Sequence, residues 1–98
     1  MMSCLEVVTY QLKQGVSKES YMNYVKKLQE MVAGLEGFIH REVFYNHTSE
    51  EWIEVVGWDN KEAAAKAEKV LMQEPCMLEG MGLINEATLK LQYYDKVL

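Results

Sequence analysis

The chain is poor in the residues that build cross-links, metal centres and nucleic-acid surfaces. It has two cysteines, two histidines and one proline in 98 residues. Cys4 and Cys76 make no CxxC pair, and His40 and His47 have no partner at ligand spacing, so no metal site is expected. Two lone thiols fit a reduced, cytoplasmic chain better than a disulfide scaffold. Basic residues are the minority, 10 against 15 acidic, and the net charge of −5 leaves no basic patch for a nucleic-acid backbone. No apolar run approaches the roughly 18 residues that cross a bilayer, so no membrane partner is expected. The opening Met-Met-Ser-Cys-Leu-Glu lacks a basic region followed by an apolar one, and no signal peptide is expected. There is no phosphate-cradling glycine motif and no G-x-S-x-G elbow. Nothing in the sequence asks for a cofactor. With no linker, repeat or low-complexity segment, residues 1–98 read as one domain.

What is present is periodicity. Leu5 to Leu12 alternates, with Val8, Tyr10 and Leu12 on one face and Leu5 and Val7 on the other, as in a strand covered in part on both sides. Ser17 is a good N-cap, with Glu19 in the first turn. Tyr21, Tyr24, Val25, Leu28, Met31, Val32 and Leu35 then form one helical stripe, stopped by Gly34 and Gly37. Phe38–Tyr45 and Trp52–Trp58 read as strands joined by the polar turn 46–50. Asp59 and Asn60 open a second helix, with Glu62 placed three after Asp59 as in a capping box. That helix runs from Lys61 to Gln73, and Pro75 ends or re-aims it. Cys76 to Ile84, broken by Gly80 and Gly82, reads as a short turn of helix and a loop, and Ala87 to Tyr94 as the last strand.

The order strand, helix, strand, strand, helix, strand predicts a ferredoxin-like βαββαβ domain of the α+β class. A four-stranded antiparallel sheet would carry both helices on one face. The other face has nothing in this chain to cover it. It must hold either Trp52, Val56 and Trp58 or Ile53 and Val55, and a second copy, sheet against sheet, is the natural cover. A homodimer is therefore expected.

The series Leu12-Lys13-Gln14-Gly15, Gly37-Phe38, Trp52-x-Glu54-x-Val56-x-Trp58 and Glu62-Ala63-Ala64 resembles the antibiotic biosynthesis monooxygenase-like domain of the dimeric α+β barrel superfamily. The resemblance spans nearly the whole chain. It implies a dimeric α+β barrel and an activity drawn from cofactor-free monooxygenases of polyketide quinones, haem-degrading enzymes or proteins of unassigned role. Trp58 matches the monooxygenase tryptophan at the end of the third strand. Glu54 stands where that pattern has an amide, and Ala64 where it has a tyrosine. The haem-degrading pattern finds only Val8, Ala67 and a position near Glu79 at its site, and no histidine follows His47, so no haem partner is expected.

Individual residues carry two readings each. Trp58 is a flat wall for an aromatic substrate, or packing at the helix entrance. Trp52, nearer the turn, is substrate contact or rim packing. If Tyr45 lies opposite Trp52, then Arg41 and Glu54 are diagonal neighbours on one face. They would be a surface or interface salt bridge, or a pocket pair in which Arg41 holds an oxyanion and Glu54 takes a proton. A one-residue slip would put His40 and Glu42 on that face instead. Tyr10 and Tyr93 are strand tyrosines within reach of a cavity, whereas Tyr21 and Tyr24 read as core. Cys76 reads as a small buried hydrophobe. Three functions follow: a cofactor-independent monooxygenase of a small phenol or quinol, a module binding a small ligand, or a structural dimer.

Overall fold

In the computed structural model, which describes residues 2–98, strand β1 (Cys4–Leu12) is the chain's central organiser. It pairs antiparallel with β3 (Trp52–Trp58) on one side and β4 (Ile84–Asp95) on the other. Strand β2 (Phe38–Tyr45) closes the order β2-β3-β1-β4. Helices α1 (Lys18–Ala33), α2 (Lys61–Leu71) and α3 (Pro75–Met81) complete the domain. Among the described residues no helix is long and apolar enough to cross a membrane.

The ferredoxin-like plan is the one expected, with local differences. Helix α2 begins at Lys61 as expected, but its N-cap lies one residue later than the capping-box reading puts it. Asn60 is the N-cap, its side chain accepting from the Ala63 N–H. The backbone of Asp59 is used otherwise: its N–H donates to Gly37 O at 2.8 Å and its carbonyl accepts from Ser3 Oγ. The helix also stops at Leu71 rather than Gln73. Cys76 to Ile84 is more regular than a turn and a loop. Pro75 occupies the first turn of α3, where its missing N–H costs nothing. Gly80 lies inside that helix because the Tyr24 ring covers it; a Cβ there would sit 1.9 Å from the ring. The last strand starts at Ile84, three residues before Ala87, because Leu83 O accepts from the Lys13 N–H and ties β4 to the end of β1.

The hairpin register is Tyr45 opposite Trp52, Val43 opposite Glu54 and Arg41 opposite Val56. A bulge between Phe38 and His40 follows from Phe38 facing Trp58 while His40 faces Gly57. It sets Phe38 and Arg41 on the helix side together. Of the two alternatives for the open face, Ile53 and Val55 occupy it. Trp52, Val56 and Trp58 turn toward the helices and are buried with Cys4, Tyr10, Tyr21 and Val25. The open face retains half-buried Leu5 and Val7 and exposed Phe44 and Tyr94.

Candidate functional site

Alternation on the sheet and the stripe of α1 bring polar side chains into an otherwise apolar space. Glu6, Val8 and Tyr10 share one face of β1, while Glu54, Val56 and Trp58 share the corresponding face of β3. Arg41 joins them from β2 and Tyr21 from α1. The space between them and the helices is a cavity of about 270 Å³. Leu28, Ala67, Leu71, Met72, Met77 and Leu91 supply much of its apolar lining.

A buried polar array forms one wall. Arg41, its side chain 2% exposed, donates from Nη2 at 2.7 Å and from Nε at 3.1 Å to the same Glu54 oxygen, Oε1. Arg41 Nη1 donates to Gln29 Oε1 at 3.0 Å. The other Glu54 oxygen accepts from the Tyr10 hydroxyl, which in turn accepts from the Tyr21 hydroxyl at 2.6 Å. Burial, followed by the Glu54 charge, pushes both phenols far above their ordinary range, so they act as neutral donors. Every member of this array has a partner, as buried polar groups require.

A second carboxylate lies apart from it. Glu6 Oε1 accepts from Trp58 Nε1 at 2.9 Å, and among the described residues no hydrogen bond reaches its Oε2. Burial pushes the Glu6 carboxyl up; the Trp58 N–H opposes this, and Glu54 and Glu68 add to the rise.

Four of the sequence-derived candidates therefore meet at one cavity: Arg41, Glu54, Trp58 and Tyr10. Three do not line it. Trp52 packs with Tyr21 and Tyr45 at the far end, ring centroids 4.9 Å away in each case. Tyr93 stands across from Glu6 on β4 and its hydroxyl donates to Glu68 Oε2 at 3.2 Å. His40 covers Gly57 on the open face and lies 3.7 Å from Glu42, because alternation from Arg41 places both on the side away from the helices. Sequence reasoning missed Glu6, although period two places this acid with Val8 and Tyr10. It also left Tyr21 as plain core, whereas Tyr21 is fully buried and lines the cavity.

The ferredoxin-like α+β fold of this chain is shared by solved structures. SnoaB, a cofactor-independent oxygenase from Streptomyces nogalater, matches with a TM-score of 0.77 at 11% identity, over 100% of this chain and 96% of its own. A protein of Nitrosomonas europaea provisionally described as an antibiotic biosynthesis monooxygenase matches at 0.77 and 11%, over 98% of this chain and 91% of its own. A conserved protein from Methanosarcina mazei Go1 matches at 0.74 and 19%, over 98% and 95%. No family model and no curated protein matches the sequence itself. At these identities the likeness is one of fold.

Proposed function

We propose that this protein binds a small hydroxyarene between sheet and helices and oxygenates it with molecular oxygen, without a cofactor. One observation carries the reading: an apolar cavity of about 270 Å³ with Trp58 in its wall and carboxylate and phenol groups beside it. A cavity of about 150 Å³ holds benzene, so this one has room for a fused two-ring molecule. In the reaction a base takes the hydroxyl proton, and the arene anion passes an electron to oxygen. The radical pair joins at a ring carbon bearing hydrogen, and the peroxide oxygen takes back the proton. Loss of the ring C–H proton then breaks the O–O bond and expels hydroxide, which leaves as water. A phenol and one oxygen molecule give a quinone and one water, so atoms and electrons balance. The protein's part is to hold the arene flat, exclude bulk water and keep the base near the hydroxyl.

The test is oxygen uptake with a panel of naphthols and hydroxyquinols. Protein-dependent consumption of one oxygen per naphthol, with the quinone as product, is expected. Tight binding without uptake would instead favour a module that holds its ligand unchanged. The closed pairing of Glu54 with Arg41 and Tyr10 favours that second reading, because neither Glu54 oxygen lacks a donor.

The functional unit in this reading is a homodimer in the cytoplasm, where Cys4 and Cys76 remain thiols. The open sheet face supports this: Phe44 is 52% exposed and Tyr94 47%, beside Ile53 and Val55. Covering such a face sheet against sheet would bury more than roughly 2,000 Å². Light scattering at low micromolar concentration should give twice the chain mass, and Val55→Glu should shift it to monomer. A folded wild-type monomer at that concentration would contradict the dimer.

A further inference from the structure

The two carboxylates of the cavity differ in what they can still accept. Glu54 has one oxygen against the Arg41 guanidinium and the other against Tyr10, so receiving a proton would mean giving up a buried ion pair. Glu6 has one oxygen fixed by Trp58 and a second that no donor among the described residues occupies. It lines the cavity beside the indole of Trp58.

We propose that Glu6 is the catalytic residue that accepts the hydroxyl proton of the ligand, and that the ligand is a neutral hydroxyarene carrying no acid group. This rests on the function proposed above and deepens it. Held by the Trp58 N–H, the Glu6 carboxylate keeps the Oε2 lone pairs for a ligand O–H. The ligand O–H bond breaks heterolytically: the electron pair stays on the ligand oxygen and the proton goes to Oε2. No oxidant takes part in this step. The charges around the cavity set the ligand class. Among the described residues Arg41 is the one cation of its lining, and it is already shared between Glu54 and Gln29. Glu68 on α2 adds a further negative group near Glu6, and Tyr93 on β4 faces it as a phenol whose own ionisation is pushed up by burial. A ligand carboxylate or phosphate would enter without a free cation and against Glu6, Glu54 and Glu68.

Binding and turnover test this separately. Tryptophan fluorescence would be titrated with naphthol, methoxynaphthalene and naphthoate, for wild type, Glu6→Leu and Glu6→Gln. Naphthol should bind wild type about tenfold tighter than methoxynaphthalene, the size of one hydrogen bond to a charged group. Naphthoate should bind at least about tenfold more weakly than naphthol. Glu6→Leu should abolish the naphthol preference. Glu6→Gln keeps an acceptor but no base, so it should bind naphthol while losing about 100-fold or more of oxygen uptake. Lowering the pH through the raised Glu6 range should weaken naphthol binding in wild type and leave Glu6→Gln flat; the Gln variant decides the matter if Glu6→Leu fails to fold. A wild type with no naphthol preference, a preference undiminished in Glu6→Leu, or uptake unchanged in Glu6→Gln would overturn the assignment. Wild type that shows the preference yet consumes no oxygen would remove the oxygenase reading and leave Glu6 as the ligand's acceptor.

Discussion

Arg41→Ala is expected to destabilise the protein by about 3–5 kcal/mol, the cost of stranding one partner of a buried ion pair. The guanidinium is 2% exposed and the Glu54 side chain 11%, so water cannot replace the lost partner. Domains of this size hold only about 5–15 kcal/mol in total. The loss should lower Tm by roughly 15 °C or more. The double variant Arg41→Met with Glu54→Leu should recover most of it, since removing both charges leaves neither uncompensated. Thermal unfolding of the two variants side by side checks this. Equal destabilisation of single and double variants would mean that packing, rather than charge, holds this wall.

Gly37→Ala should cost about 3 kcal/mol, through two separate effects. Gly37 has φ of +82°, where a side chain is strained by about 1–2 kcal/mol. A Cβ there would also lie 2.4 Å from the Ala63 Cβ, a rigid neighbour on α2. Gly15 separates the two effects. Its φ is +90° but nothing lies within 4 Å of its missing Cβ, so Gly15→Ala should show the backbone cost alone. Denaturant midpoints for the pair measure the difference. Equal losses would mean that α2 yields to the extra methyl.

The contrast between those glycines also marks what the sequence could and could not reveal. Gly37 is legible as a stop between a helical stripe and a β run, but its contact with Ala63 depends on how α2 docks. Element order was readable from the alternating strands and the helical stripe, but the hairpin register was not: alternation alone left open a one-residue slip that would put His40 and Glu42 on the face of Glu54, and the structure pairs Tyr45 with Trp52. The N-cap choice between Asp59 and Asn60 was not readable, since both side chains can cap. Asn60 takes the position because the Asp59 backbone is tied to Gly37 and Ser3. Helix α3 was obscured by Gly80, a residue that weakens a helix in isolation but is needed under the Tyr24 ring. In the site, Arg41 and Glu54 could be paired on only one of the two registers, the one the structure adopts. The bulge that brings Phe38 to the helix side leaves no local signature, and neither does the separation of Trp52 and Tyr93 from the cavity. Glu6 was the readable signal that went unused: an acid on the apolar face of a central strand.

The pairing of Glu6 with Trp58 beside an apolar cavity is the centre of this account. A crystal structure with a bromonaphthol, located by the anomalous signal of bromine, tests it most directly. The predicted result is a ring flat against Trp58 with its hydroxyl within hydrogen-bond distance of Glu6 Oε2. A cavity closed by its own methionines, or a naphthol bound only on the open sheet face, would contradict it.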